Sequence, residues 1–108
     1  MSSGLVEFTE KEFSDFLKSG GRGVVLFGAP WCAACKIIEP FLKELVAEVK
    51  HLTLAEVDVG KTPGLASRMG VMSLPNILFI KNGKVVEQII GTASKKEIEK
   101  KLKKLSTS

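Results

Sequence analysis

The chain has 108 residues, 44% of them hydrophobic, and a formal net charge of +4. That hydrophobic share excludes a disordered chain, and the length suits a single domain, 1–108, with a core of useful size. No apolar run approaches the ~20 residues of a membrane-spanning helix, and Met1 to Glu7 has no basic stretch leading into an apolar one, so neither a span nor a secretory signal is read here.

Taken in order, Thr9-Glu10-Lys11-Glu12 is a capping box, and Phe13, Phe16 and Leu17 follow at helical spacing until Gly20-Gly21 stops the helix. Val24 to Phe27 is a continuous apolar run with β-branched residues, the pattern of a strand buried on both faces. Gly28-Ala29-Pro30 then turns the chain into Trp31-Cys32-Ala33-Ala34-Cys35. A helix is expected from Cys32 to Val49, with an apolar stripe of Ile37, Ile38, Phe41, Leu42, Leu45, Val46 and Val49 and a kink at Pro40. Leu52 to Val59 reads as a second buried strand and Pro63 to Met69 as a short helix stopped by Gly70.

Beyond that point the pattern changes to antiparallel pairing. Asn76–Lys81 and Lys84–Ile90 flank Asn82-Gly83, a strong hairpin signal. Ser94-Lys95-Lys96-Glu97 is a second capping box and opens the last helix. There Ile98, Leu102 and Leu105 recur at helical spacing, which makes the many lysines a solvated face. No aromatic residue alternates with them to stack on bases, so no nucleic-acid partner is expected. The order is β-α-β-α-β-α-β-β-α, an α/β fold with a central mixed sheet and helices on both faces.

Both cysteines of the chain, Cys32 and Cys35, lie where strand gives way to helix. Two thiols separated by two residues close into a small ring and open again, storing two electrons. In a reducing cytoplasm, the default address here, such a pair is more readily catalytic than a static staple. The alternatives are an inert disulfide and half of a zinc site. Zinc takes about four ligands, and the further soft candidate is His51 at a strand start, read as a surface residue.

Together these features resemble the thioredoxin family, from about Val6 to Leu105. The matching elements are Trp31-Cys32-x-x-Cys35, Pro40, Val57-Asp58-Val59, Pro63-Gly64-Leu65-Ala66, Leu74-Pro75, Phe79-Ile80-Lys81-Asn82-Gly83 and Gly91. Three positions depart from the family. Ala33-Ala34 stands where Gly-Pro is usual, Leu26 where many members bury an Asp, and Glu56 where a Lys usually faces that Asp.

The resemblance implies a thiol–disulfide oxidoreductase that reduces protein disulfides and is itself recharged by a reductase. No metal and no organic cofactor are expected, and the protein would act as a monomer. A disulfide oxidase or isomerase is the rival within the enzyme class, and a binding module on the same scaffold the rival outside it. Cys32, at the helix start, faces unpaired N–H groups and the positive end of the helix dipole, which favour its thiolate and make it the nucleophile. Cys35, one turn deeper, is the resolving thiol. Trp31 would wall the substrate groove. In the family the bond before Pro75 is cis, Leu74 offers backbone groups to an extended substrate, and Gly91 lets the substrate backbone approach. Glu56 lies between Ala55 and Val57 in a central strand, where an unpaired carboxylate is costly. Either it pairs with a lysine at the strand end, or it is the missing carboxylate moved across, a proton acceptor behind Cys35.

Overall fold

The computed structural model describes residues 5–106. Residues 1–4, on which part of the signal-peptide reading rests, lie outside it. Nine elements follow in the expected order: β1 (Val6–Glu7), α1 (Glu10–Lys18), β2 (Gly23–Gly28), α2 (Ala33–Ala47), β3 (Thr53–Asp58), α3 (Pro63–Arg68), β4 (Asn76–Lys81), β5 (Lys84–Ile90) and α4 (Lys95–Ser106).

The strands form one sheet in the order β1-β3-β2-β4-β5. The β1–β3 and β3–β2 pairs are parallel, and β2–β4 and β4–β5 are antiparallel. Local chemistry sets the ends. Thr9 Oγ1 accepts from the Glu12 N–H at 3.1 Å while Glu12 Oε1 accepts from the Thr9 N–H at 2.9 Å, closing the capping box of α1. A cap of this kind contributes about 1 kcal/mol. Asn82 and Gly83 both hold positive φ, 55° and 75°, as a two-residue turn of this hand requires. At the start of α4, Ser94 Oγ accepts from the Glu97 N–H at 3.1 Å.

The sheet divides two cores. Val25, Phe27, Ala55, Val57, Leu78 and Ile80 join Phe13 of α1 and Leu65 of α3 on one face. On the other, Val24, Leu26, Ile77 and Phe79 meet Ile38, Leu42, Leu45 and Val46 of α2 and Ile98, Leu102 and Leu105 of α4. Full burial of one such side chain is worth about 1.5–3 kcal/mol. β2 is buried along its whole length, as its unbroken apolar run requires.

Two expectations for α2 need correction. The helix begins at Ala33, with Cys32 as the N-cap residue rather than the first helical one. Its buried face is Cys35, Ile38, Glu39, Leu42, Leu45 and Val46, whereas Ile37 is 64% exposed. The cause is rotational. Once Cys35 points inward, residue 39 follows one turn later and residue 37 falls on the far side. α2 runs through Pro40 as one element, and Pro40 is exposed.

Candidate active site

Register gathers the predicted residues at one end of the sheet. β2 and β3 run parallel and end together at Gly28 and Asp58. Phe27 pairs with Asn76 and Asn76 with Ile90, so Pro75, before β4, and Gly91, after β5, sit beside the exit of β2. There the Gly91 N–H donates to the Pro75 carbonyl at 2.7 Å. The Leu74–Pro75 bond is cis, Pro75 is buried and Leu74 half-buried. Gly91 holds φ at 90°, and a Cβ built there would meet nothing within 4 Å, so its outer side is open.

The chain leaving β2 turns through Ala29, whose carbonyl accepts from the Cys32 N–H at 3.0 Å, and delivers Cys32 to the head of α2. Cys32 and Cys35 form a disulfide with their Cα atoms 5.3 Å apart, inside the usual range for such a bond. The Cys32 sulfur also accepts from the Cys35 N–H at 3.2 Å, satisfying one of the four donors a helix N-terminus leaves open. The two sulfurs differ in access. Cys32 is half-buried and Cys35 is 1% exposed. An incoming sulfur therefore meets Cys32 first.

Trp31 is 69% exposed, and its ring lies against the turn that follows β3. A Cβ at Gly60 would fall 2.8 Å from Trp31 Cη2 and 3.1 Å from Asp58 Oδ1. Asp58 is buried, and its Oδ1 accepts from the Gly60 N–H at 2.8 Å, which fixes the turn under the indole. Further along, Val59, Ala66, Val71 and Leu74 line an open apolar groove together with the exposed Met72.

Glu56 is buried and sits opposite Leu26 in the β2–β3 register. Lys61, just past the strand end, makes its ion pair with Glu7 at 2.9 Å. That bond is the main reason its ammonium is held above the usual lysine range, with Asp58 and Glu56 adding smaller contributions. His51 is exposed in the turn before β3, with φ of 65°, on a different part of the chain from the cysteines. Among the described residues no three His, Cys, Asp or Glu side chains converge to hold a metal ion, and no helix is long and apolar enough to cross a membrane.

Three residues of this region carry no site role in the sequence reading. Asp58 and Gly60, the seat of Trp31, look there like a strand end and a turn. Glu39, one turn after Cys35, is buried, although the expected apolar stripe omits it. The signal for Glu39 was present, because the spacing of Cys35, Leu42 and Val46 gives residue 39 to the same face.

The thioredoxin family model matches residues 4–104. The chain is 38% identical to thioredoxin of Bacillus subtilis over 103 residues, covering 93% of this chain and 96% of that one. It is 36% identical to thioredoxin 2 of Chlorobaculum tepidum over 104 residues, covering 94% and 95%. Among solved structures, thioredoxin NaTrxh of Nicotiana alata superposes with a TM-score of 0.85 at 30% identity, covering 99% of each chain.

Proposed function

The chain belongs to the thioredoxin family and is a dithiol–disulfide oxidoreductase, and from that premise we propose that it works in the reducing direction on protein disulfides, as a monomer in the cytoplasm. The observation that carries the roles in this reading is the asymmetry of the pair, which makes Cys32 the attacking and Cys35 the resolving thiol: Cys32 is accessible at the head of α2 and Cys35 is shut beneath it. Family membership implies, in general terms, a reductase as electron donor and disulfide-bearing proteins as partners.

In the proposed cycle the Cys32 thiolate, favoured by the helix terminus, attacks one sulfur of the substrate disulfide and forms a mixed disulfide. Cys35 then loses its proton and attacks the Cys32 sulfur, releasing the second substrate sulfur as a thiolate. The reductase returns two electrons to the pair. Trp31 walls the approach, while Leu74 and Gly91 present backbone to an extended substrate segment across the cis-Pro75 turn. That mode of binding tolerates many side chains. Glu56, buried on β3 opposite Leu26, is the proposed acceptor on the path of the Cys35 proton. A buried carboxylate makes an effective general base when a thiol proton must leave a site closed to water.

The test is an insulin-type disulfide reduction assay with Cys32→Ser. The wild type turns over and the variant does not, and alkylation of the reduced protein near neutral pH labels Cys32 well before Cys35. Turnover by the variant, or faster labelling of Cys35, would reverse the roles assigned here.

A further inference from the structure

Glu39 is 4% exposed, and its Oε1 has no hydrogen-bond partner among the described residues. A carboxyl oxygen kept from water and left unpaired is costly, and an apolar side chain in the same place would avoid that cost. The fold ties this residue to the thiol pair. Cys35, Glu39, Leu42 and Val46 are all buried on α2 and follow at helical spacing, so they form one line with Glu39 a single turn below Cys35.

The direction of that line follows from what packs on the other flank of α2. Glu44 pairs with Lys95, and Leu45, Glu48 and Val49 share a groove with Glu99, Leu102 and Lys103 of α4. α4 packs over β4, while α2 packs against β3. Glu39 therefore lies on the flank away from α4, toward β3. On β3, Ala55 and Val57 belong to the core under α1 and α3, whereas Leu54 packs into the core under α2 and α4. Glu56 has the parity of Leu54 and so points to the α2 side, as does its register partner Leu26. Two buried carboxyl groups enter the same layer from α2 and from β3.

We propose that Glu39 receives the proton released by Cys35 in the resolving step, standing between that thiol and Glu56 in the layer between α2 and β3. The inference rests on the reading of Cys35 as the resolving thiol. With the substrate joined to Cys32, the Cys35 S–H proton moves to Glu39 Oε1. The freed sulfur pair attacks the Cys32 sulfur, the bond from Cys32 to the substrate breaks, and the departing sulfur leaves with the bonding pair as a thiolate. The proton then passes from Glu39 to Glu56. Around this layer stand Glu56 and Asp58 of β3, Glu7 of β1 as the register partner of Glu56, and Lys61 bonded to Glu7. On α2 itself, Lys36 and Lys43 are exposed. Carboxyl groups thus predominate on the inner side.

The test uses reduced full-length protein and a bis(nitrobenzoate) disulfide followed in stopped flow. One aryl thiolate is released when Cys32 attacks and a second when Cys35 resolves. In Glu39→Gln the second release slows at least about tenfold near neutral pH, short of a full general-base effect because Glu56 remains. The first release stays within about twofold of wild type. The gap narrows as the pH rises and hydroxide takes over removal of the Cys35 proton, and Glu39→Asp restores most of the rate. Should Glu39→Gln not fold, Glu39→Leu, which removes the buried polar group altogether, gives the same readout. A second release equal to wild type at every pH overturns the proposal, and so does an equal slowing of both releases at every pH. Glu56→Gln separates the two readings. A slow second release in that variant alone leaves Glu56 as acceptor and removes Glu39, whereas a slow second release in Glu39→Gln alone upholds Glu39 and removes Glu56.

Discussion

Trp31 is the largest exposed side chain at the site, and it has the orientation it has because residue 60 lacks a side chain. The indole rests on backbone that the Asp58 carboxylate holds in place, at a distance that any Cβ on residue 60 would violate. Gly60→Ala therefore tilts the ring away from the groove while leaving both sulfurs where they are. The KM for a protein disulfide should rise roughly threefold to tenfold, the scale of ~1 kcal/mol for one displaced aromatic contact. Reaction with a small disulfide should stay close to wild type. Equal kinetics on both substrates would show that the ring does not contribute to the groove.

Among the elements, those whose signal is local were legible in the sequence. The buried run of β2, the Asn82-Gly83 turn and the Thr9 capping box each depend on residues adjacent in the chain, and each is found where it was read. β1 was not delimited, because Val6 and Glu7 are both exposed and two residues cannot show alternation. The buried face of α2 departs from the expected stripe for another reason. Counting apolar residues favours Ile37 over Glu39, whereas spacing from Cys35, Leu42 and Val46 favours Glu39; which of the two faces turns inward is set by the partners on both flanks of the helix, and those are not visible in a window of sequence. The site divides in the same way: the thiol pair is a local motif, whereas the seat of Trp31 and the layer between α2 and β3 are brought together by topology. One prediction belongs to the start of α2. Ala34 lies in its first turn, where backbone N–H groups have no intrahelical acceptor, so Ala34→Pro fits without loss of a hydrogen bond. Pro is usual between the cysteines of the family, where it accompanies a strongly reducing pair. The potential of Cys32/Cys35 should fall by on the order of 30 mV, or ~1.4 kcal/mol, measured against a glutathione buffer. An unchanged potential would remove Ala34 from the list of tuning positions.

At the scale of the whole molecule, the positive charge is concentrated on α4, but part of it also holds that helix to the sheet. Glu87 on β5 accepts from Lys101 at 2.7 Å and from Lys104 at 2.9 Å. These two bonds hold its carboxyl down from 4.5 to about 2. A depressed carboxyl stabilises the folded state above its unfolded value, and that contribution is lost as the pH falls through the folded one. Glu87→Gln should therefore lower Tm at neutral pH, and its deficit against wild type should shrink as the pH falls from 4.5 to about 2. A deficit that stays constant over that window would mean that the ion pairs carry none of it. The disulfide has a consequence on this scale too. It joins residues only three apart, so closing it removes little freedom from an unfolded chain, worth about 2 kcal/mol on a chain-entropy scale. The fold should therefore survive reduction of the pair, as a shuttle between two redox states requires. By thermodynamic linkage, whatever the bond adds to folding, folding adds to the bond. The loss of unfolding free energy on reduction and the gap in potential between the native pair and the same pair in denatured chain are one quantity, roughly 40 mV on this scale, with the native pair the more reducing.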